Sequence, residues 1–105
     1  MWNDSDDRIM ELFEVANDGK TKFPTLCPIC NHPHGHVFMH RYDAVHGGVW
    51  LWCGKCYAFA HMSGIIPEWW KNFPDIDDEL LSTEPDYISE KSADIDKWTN
   101  SLTRN

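Results

Sequence analysis

The chain has only four cysteines, and they fall in two pairs, Cys27-Pro28-Ile29-Cys30 and Cys53-Gly54-Lys55-Cys56, with 22 residues between them. A C-x-x-C turn carries two sulfurs to one side of the backbone, and two such turns supply the tetrahedral thiolate shell that zinc takes. Each pair is predicted to form a tight knuckle in which backbone N–H groups point at the sulfurs, Pro28 stiffening the first and Gly54 relaxing the second. Two disulfides would need an oxidising compartment, yet Met1-Trp2-Asn3-Asp4 lacks the basic and apolar regions of a secretory signal. A thioredoxin-like redox site would need one such pair inside a βαβ pattern, and neither pair has that setting. One structural Zn²⁺, held by Cys27, Cys30, Cys53 and Cys56, is the expected cofactor, and the cytoplasm the expected location.

The segment between the pairs is long enough for a β-hairpin that returns the second knuckle beside the first. On these residues the chain resembles the zinc ribbons. That resemblance implies a small α+β fold: a three-stranded antiparallel sheet, here flanked by an N-terminal helix and C-terminal helical segments. With 105 residues the core is marginal without help. A bound zinc contributes on the order of 10 kcal/mol near neutral pH, so folding and metal binding are expected to be coupled. No apolar run approaches the roughly 18 residues that span a bilayer.

Taken in order, the first segment reads as an amphipathic helix. Asp4 or Ser5 serves as its N-cap, Ile9, Leu12, Phe13 and Ala16 form its apolar stripe, and Asp18-Gly19 ends it. Strands are predicted over 36–42, 49–52 and 57–62, with 43–48 as the hairpin loop and Gly47 and Gly48 supplying positive φ. Phe38, His40, Tyr42, Trp50, Trp52, Tyr57, Phe59 and His61 share one parity. Pairing His40 with Trp50 would gather them on one face, whereas Met39 opposite Trp52 would mix the faces. Beyond a break at 63–67, a short helix over 67–73 is expected to start on Pro67 and stop at Pro74. Residues 1–74 are read as the ribbon domain with its helix. Residues 75–105 form an acidic extension, helical from about Ser89 to Leu102 on Ile88, Ile95, Trp98 and Leu102, and docked on the ribbon.

The net charge of −8 is unevenly spread. Residues 1–22 carry six acids against three bases, 23–74 two against three, and 75–105 nine against three. Four thiolates on one Zn²⁺ would take the total to about −10. A protein that wraps phosphate needs a basic stripe, and none is present. Nucleic-acid binding, the commonest use of the zinc ribbons that the chain resembles, would have to rest on stacking by Tyr42, Trp50, Trp52 and Phe59 with only Arg41, Lys55 and Lys71 as cations.

All six histidines lie between 32 and 61, but a closed four-sulfur shell leaves them without a metal to share, and no acid–base constellation surrounds them. The chain is therefore read as non-enzymatic. In composition it is similar to acidic inhibitors of basic nucleases, including the immunity proteins of bacterial toxins. That similarity implies a basic protein partner, met by Trp69 and Trp70 as anchors and by Asp75, Asp77, Asp78 and Glu79 in place of substrate phosphates. The reading for any single carboxylate is a solvated face. The oligomeric state stays open, since ribbon edges can pair between chains.

Overall fold

A computed structural model of the protein describes residues 2–77 and 85–102. Its centre is an antiparallel sheet in the order β1 (Gly35–Arg41), β2 (His46–Cys53), β3 (Phe59–Ile65). The side-chain period of two sends odd and even positions of β1 to opposite faces, yet Val37, Phe38 and Met39 are all buried. The sheet is therefore a middle layer, covered on both sides.

A 3₁₀ turn (Asp7–Met10) running into helix α1 (Glu11–Ala16) covers the face of Val37, Met39, Val49 and Leu51. Ile9 and Leu12 are fully buried, and Leu12 lies 3.1 Å from where a side chain on Gly35 would begin. The opening cap is Asp6, whose carboxylate accepts from the Arg8 N–H, rather than Asp4 or Ser5. Gly19, at φ 69°, provides the left-handed exit expected of it.

The C-terminal helices α2 (Pro85–Glu90) and α3 (Ser92–Leu102) lie on the opposite, aromatic side. The single helix expected from 89 onwards is thus two, broken at Lys91. Two side-chain links join these helices to the sheet, and the turn at 67–70 adds a third contact on the same side. His36 Nδ1 lies 2.8 Å from Asp96 Oδ1, the Trp52 indole N–H donates to Ser92 Oγ at 3.1 Å, and Trp70 meets Phe38 edge to face at 5.8 Å. Ile88 and Ile95 are fully buried in the same core. Residues of the acidic extension are therefore structural members of the sandwich.

The register answers the question left open above. Phe38 pairs with Trp50 and His36 with Trp52, and Trp50 and Trp52 oppose His61 and Phe59 on β3. The members of the aromatic parity set that lie in the strands, Phe38, His40, Trp50, Trp52, Phe59 and His61, share one face, with β1 displaced by two residues from the His40–Trp50 pairing, while Tyr42 and Tyr57 lie outside the strands.

Two expectations about backbone punctuation are corrected. Gly47 and Gly48 are strand residues, not loop residues, and neither has positive φ. A Cβ on Gly47 would lie 2.2 Å from the His40 carbonyl oxygen, so close backbone approach is what requires glycine there. The loop is held instead by Asp43, whose carboxylate accepts from the Val45 and His46 N–H groups. Likewise β3 does not break at Ser63 but continues through Gly64, opposite Gly47, to Ile65.

The helix expected over 67–73 is a single turn. The Trp70 N–H donates to Pro67 O, but Arg41 reaches across and its guanidinium donates to both Pro67 O and Trp70 O. With those carbonyls engaged and Trp70 drawn into the core, the chain leaves extended. Asn72 then pairs through its side-chain amide with both the N–H and the C=O of Arg41, capping the outer edge of β1.

Candidate metal centre

The two cysteine pairs close on each other at one end of the sheet, because Cys53 ends β2 and Gly35 opposite it follows the first pair. Both turns use the same hydrogen bonds. In the first, Cys27 N–H donates to His32 O and Asn31 N–H to Cys27 O; in the second, Cys53 N–H donates to Ala58 O and Tyr57 N–H to Cys53 O. The residue after each second cysteine, Asn31 or Tyr57, takes φ 63°. The N–H two places beyond each first cysteine points at its sulfur, Ile29 to Cys27 at 3.4 Å and Lys55 to Cys53 at 3.3 Å, and Cys56 N–H adds a third such contact at 3.5 Å. Gly54, expected to relax the second turn, has no left-handed φ, and its N–H instead ties the two turns together by donating to His34 O.

The four Sγ atoms lie within 4.8 Å of one another. Cys27 to Cys56 is 3.8 Å and Cys30 to Cys53 is 3.7 Å. A regular tetrahedron with about 2.3 Å from the metal to each sulfur has edges of about 3.8 Å. A disulfide would need about 2.05 Å. The spacing fits a four-sulfur metal shell, with Cys27 and Cys53 buried and Cys30 and Cys56 half-buried.

The sulfurs are electrostatically unlike. Burial pushes the Cys53 thiol up to about 12 and raises that of Cys56, against the lowering effect of the N–H groups aimed at them. Burial also opposes ionisation of Cys30, but hydrogen bonds from the His32 backbone and side chain, with those of Cys53 and Cys27, bring it down to about 6. Without a cation, four thiolates cannot share this volume. A divalent ion removes that conflict.

The histidines do not converge. His32 and His34 are exposed, His36 lies stacked on Trp52 against Asp96, and His46 sits 3.5 Å from Asp43 at the hairpin loop. His61 stacks on Trp50 at 4.3 Å, and burial on that side holds its pKa below the usual histidine range. Among the described residues, the four cysteines are the one group of metal-ligating side chains close enough to share an ion.

The residues expected to meet a partner are dispersed. Trp70 is 1% exposed and belongs to the core, and Trp69 is half-buried between Gly19 and Trp70. Neither indole is the protruding anchor expected: Trp70 packs on Phe38 of the sheet, and Trp69 packs on Trp70 and the turn at Gly19. Asp75 and Asp77 are exposed, and Asp77 N–H donates to the Tyr87 hydroxyl. Asp78 and Glu79 lie outside the described residues. Sequence reasoning missed the structural pair His36 and Asp96, 60 positions apart, and the Arg41 clamp; only the polar character of those residues inside apolar segments hinted at either.

No helix among the described residues is long and apolar enough to cross a membrane. No family model, curated protein or solved structure matches the chain.

Proposed function

We propose that the protein is a zinc ribbon in the structural sense, with Cys27, Cys30, Cys53 and Cys56 holding one Zn²⁺, and that it is a non-enzymatic binding module for a basic protein, such as a nuclease that it inhibits. The metal part rests on the 3.7 and 3.8 Å sulfur spacings within two equivalent knuckles. When bound, zinc supplies charge neutralisation and a cross-link; it has no redox chemistry, and a shell filled by four protein sulfurs has no open position for a reacting water. The chain's own residues do the remainder: backbone N–H groups steady the thiolates, and the sheet carries the knuckle ends into register.

The partner part is supported by charge. Asp75, Asp77 and Asp94 are exposed in a segment of nine acids against three bases. Such a field speeds encounter with a basic protein and repels a phosphate backbone. The nucleic-acid alternative has less support. Of the four aromatics that would stack on bases, Trp50 and Trp52 are buried and Phe59 is half-buried, which leaves Tyr42 exposed, and the Arg41 guanidinium is engaged by the carbonyls of Ala44, Pro67 and Trp70.

The test is an inhibition assay. Zinc-loaded protein, immobilised, should retain a basic nuclease from its host that elutes at high salt, and one equivalent of free protein should abolish that nuclease's activity. If no retained nuclease is inhibited, or if the protein binds duplex or single-stranded DNA below micromolar at physiological salt, the reading fails.

A further inference from the structure

One surface feature joins the acidic segment to a shaped site. A cavity of about 370 Å³ opens between the chain leaving the sheet and helix α3, lined by Phe73, Asp75, Asp94, Lys97, Trp98 and Ser101. That volume lies within the range of small-ligand sites. One wall is aromatic and rigid. The Phe73 and Trp98 rings stack at 4.9 Å and 7°, and the Trp98 indole N–H donates to Lys71 O at 2.8 Å, so the indole is held from both its ring and its nitrogen. The other charged groups around the opening are two carboxylates, Asp75 and Asp94, against one ammonium, Lys97.

We infer that this cavity receives an arginine side chain presented by the basic partner, an inference that rests on the partner reading above. A guanidinium is flat and weakly hydrated, stacks on aromatic rings, and takes carboxylates in its own plane, so it uses both kinds of wall at once. An ammonium would use the carboxylates but gain less from the rings. A phosphate or a carboxylate ligand would meet Asp75 and Asp94 and be repelled. Lys97, three residues beyond Asp94 on the same helix, lines the same opening, and its positive charge weakens the site for any cation.

The test uses the zinc-loaded full chain, labelled with ¹⁵N, titrated with a blocked Gly-Arg-Gly peptide and with its lysine and citrulline counterparts, while the Trp98 indole N–H resonance is followed. Citrulline keeps the shape of arginine and removes its charge. The expected order of affinity is arginine, then lysine, then citrulline. The double variant Asp75→Asn with Asp94→Asn should weaken the arginine peptide about tenfold, and Trp98→Leu by a similar factor. The charge-matched double variant Asp4→Asn with Asp7→Asn should change it less than about twofold. Lys97→Gln should tighten it, and Lys20→Gln should not.

Three results would overturn the inference: an unmoved Trp98 resonance, citrulline binding as well as arginine, or equal weakening by the two double variants. If one of these occurs in a protein that still inhibits its nuclease, the pocket assignment is lost and the partner reading stands. A Trp98 shift with the expected order, in a protein that inhibits no nuclease, supports the pocket and removes the nuclease reading.

Discussion

Asn31 and Tyr57, each one place beyond a cysteine pair, share the same left-handed backbone at φ 63° and the same hydrogen bond back to the first cysteine of the pair. A β-branched residue resists that conformation by about 1–2 kcal/mol, while glycine adopts it freely. Asn31→Val should therefore destabilise the folded protein by about that amount and weaken metal retention in a chelator competition, whereas Asn31→Gly should keep both near the parent values. Denaturation midpoints of the two variants check this directly. Equal behaviour of the two would mean that the turn geometry is not what it is described to be.

Gly47 and Gly54, near the two ends of β2, make a contrast. A Cβ on Gly47 would meet the His40 carbonyl oxygen at 2.2 Å and Ile66 at 2.8 Å, both parts of a packed layer. A Cβ on Gly54 would meet nothing closer than His36 at 3.9 Å. Gly47→Ala should cost about 3 kcal/mol or prevent soluble expression, and Gly54→Ala should stay within about 0.5 kcal/mol. Urea unfolding followed by tryptophan fluorescence distinguishes them.

How much of this was legible in the sequence follows from the range of the interactions. The paired cysteines, the apolar stripe of Ile9, Leu12, Phe13 and Ala16, and the parity of Phe38, Trp50 and Trp52 are local patterns, and the three-stranded sheet with flanking helices follows from them. Long-range competition was not legible. The turn at 67–70 fails to become a helix because Arg41, distant in sequence, takes the carbonyls, and Trp70 becomes core because Phe38 offers it a face. Gly47 and Gly48 looked like loop residues because their reason for being glycine lies on neighbouring strands and side chains. The convergence of the four cysteines was legible from spacing alone; the left-handed residues that shape their turns were not, since Tyr57 has no intrinsic preference for that backbone.

His36 and Asp96 link the sheet to α3 with both side chains largely buried. Removing the carboxylate leaves the His36 Nδ1 without its partner, at a cost of about 1–3 kcal/mol. Asp96→Ala should accordingly loosen α3 and speed proteolytic cleavage within it, and Asp96→Asn, which keeps a hydrogen-bonding side chain, should recover part of the protection. Cleavage rates unchanged in Asp96→Ala would show that the helix is held by its apolar contacts alone.

Metal binding should release protons, with a sign set by the thiols. Cys53, pushed up to about 12, and the raised Cys56 both hold their protons at neutral pH when no cation is present, while Cys30, brought down to about 6, has largely lost its own. Zinc must displace at least the first two. Affinity should therefore fall as pH falls, by at least about two orders of magnitude per pH unit between pH 7 and 8 and more steeply below about 6, where Cys30 also protonates. Calorimetric zinc titrations in buffers of different ionisation enthalpy count the protons.

The most direct measurement is metal content against tertiary structure. Protein purified without added metal should carry one zinc per chain, and stripping it with a chelator should abolish the near-UV circular dichroism of the buried tryptophans, restored on adding one equivalent of Zn²⁺. Stoichiometric protein with no bound metal, or a spectrum unchanged by its removal, would contradict the central claim that four cysteines and one ion hold this fold together.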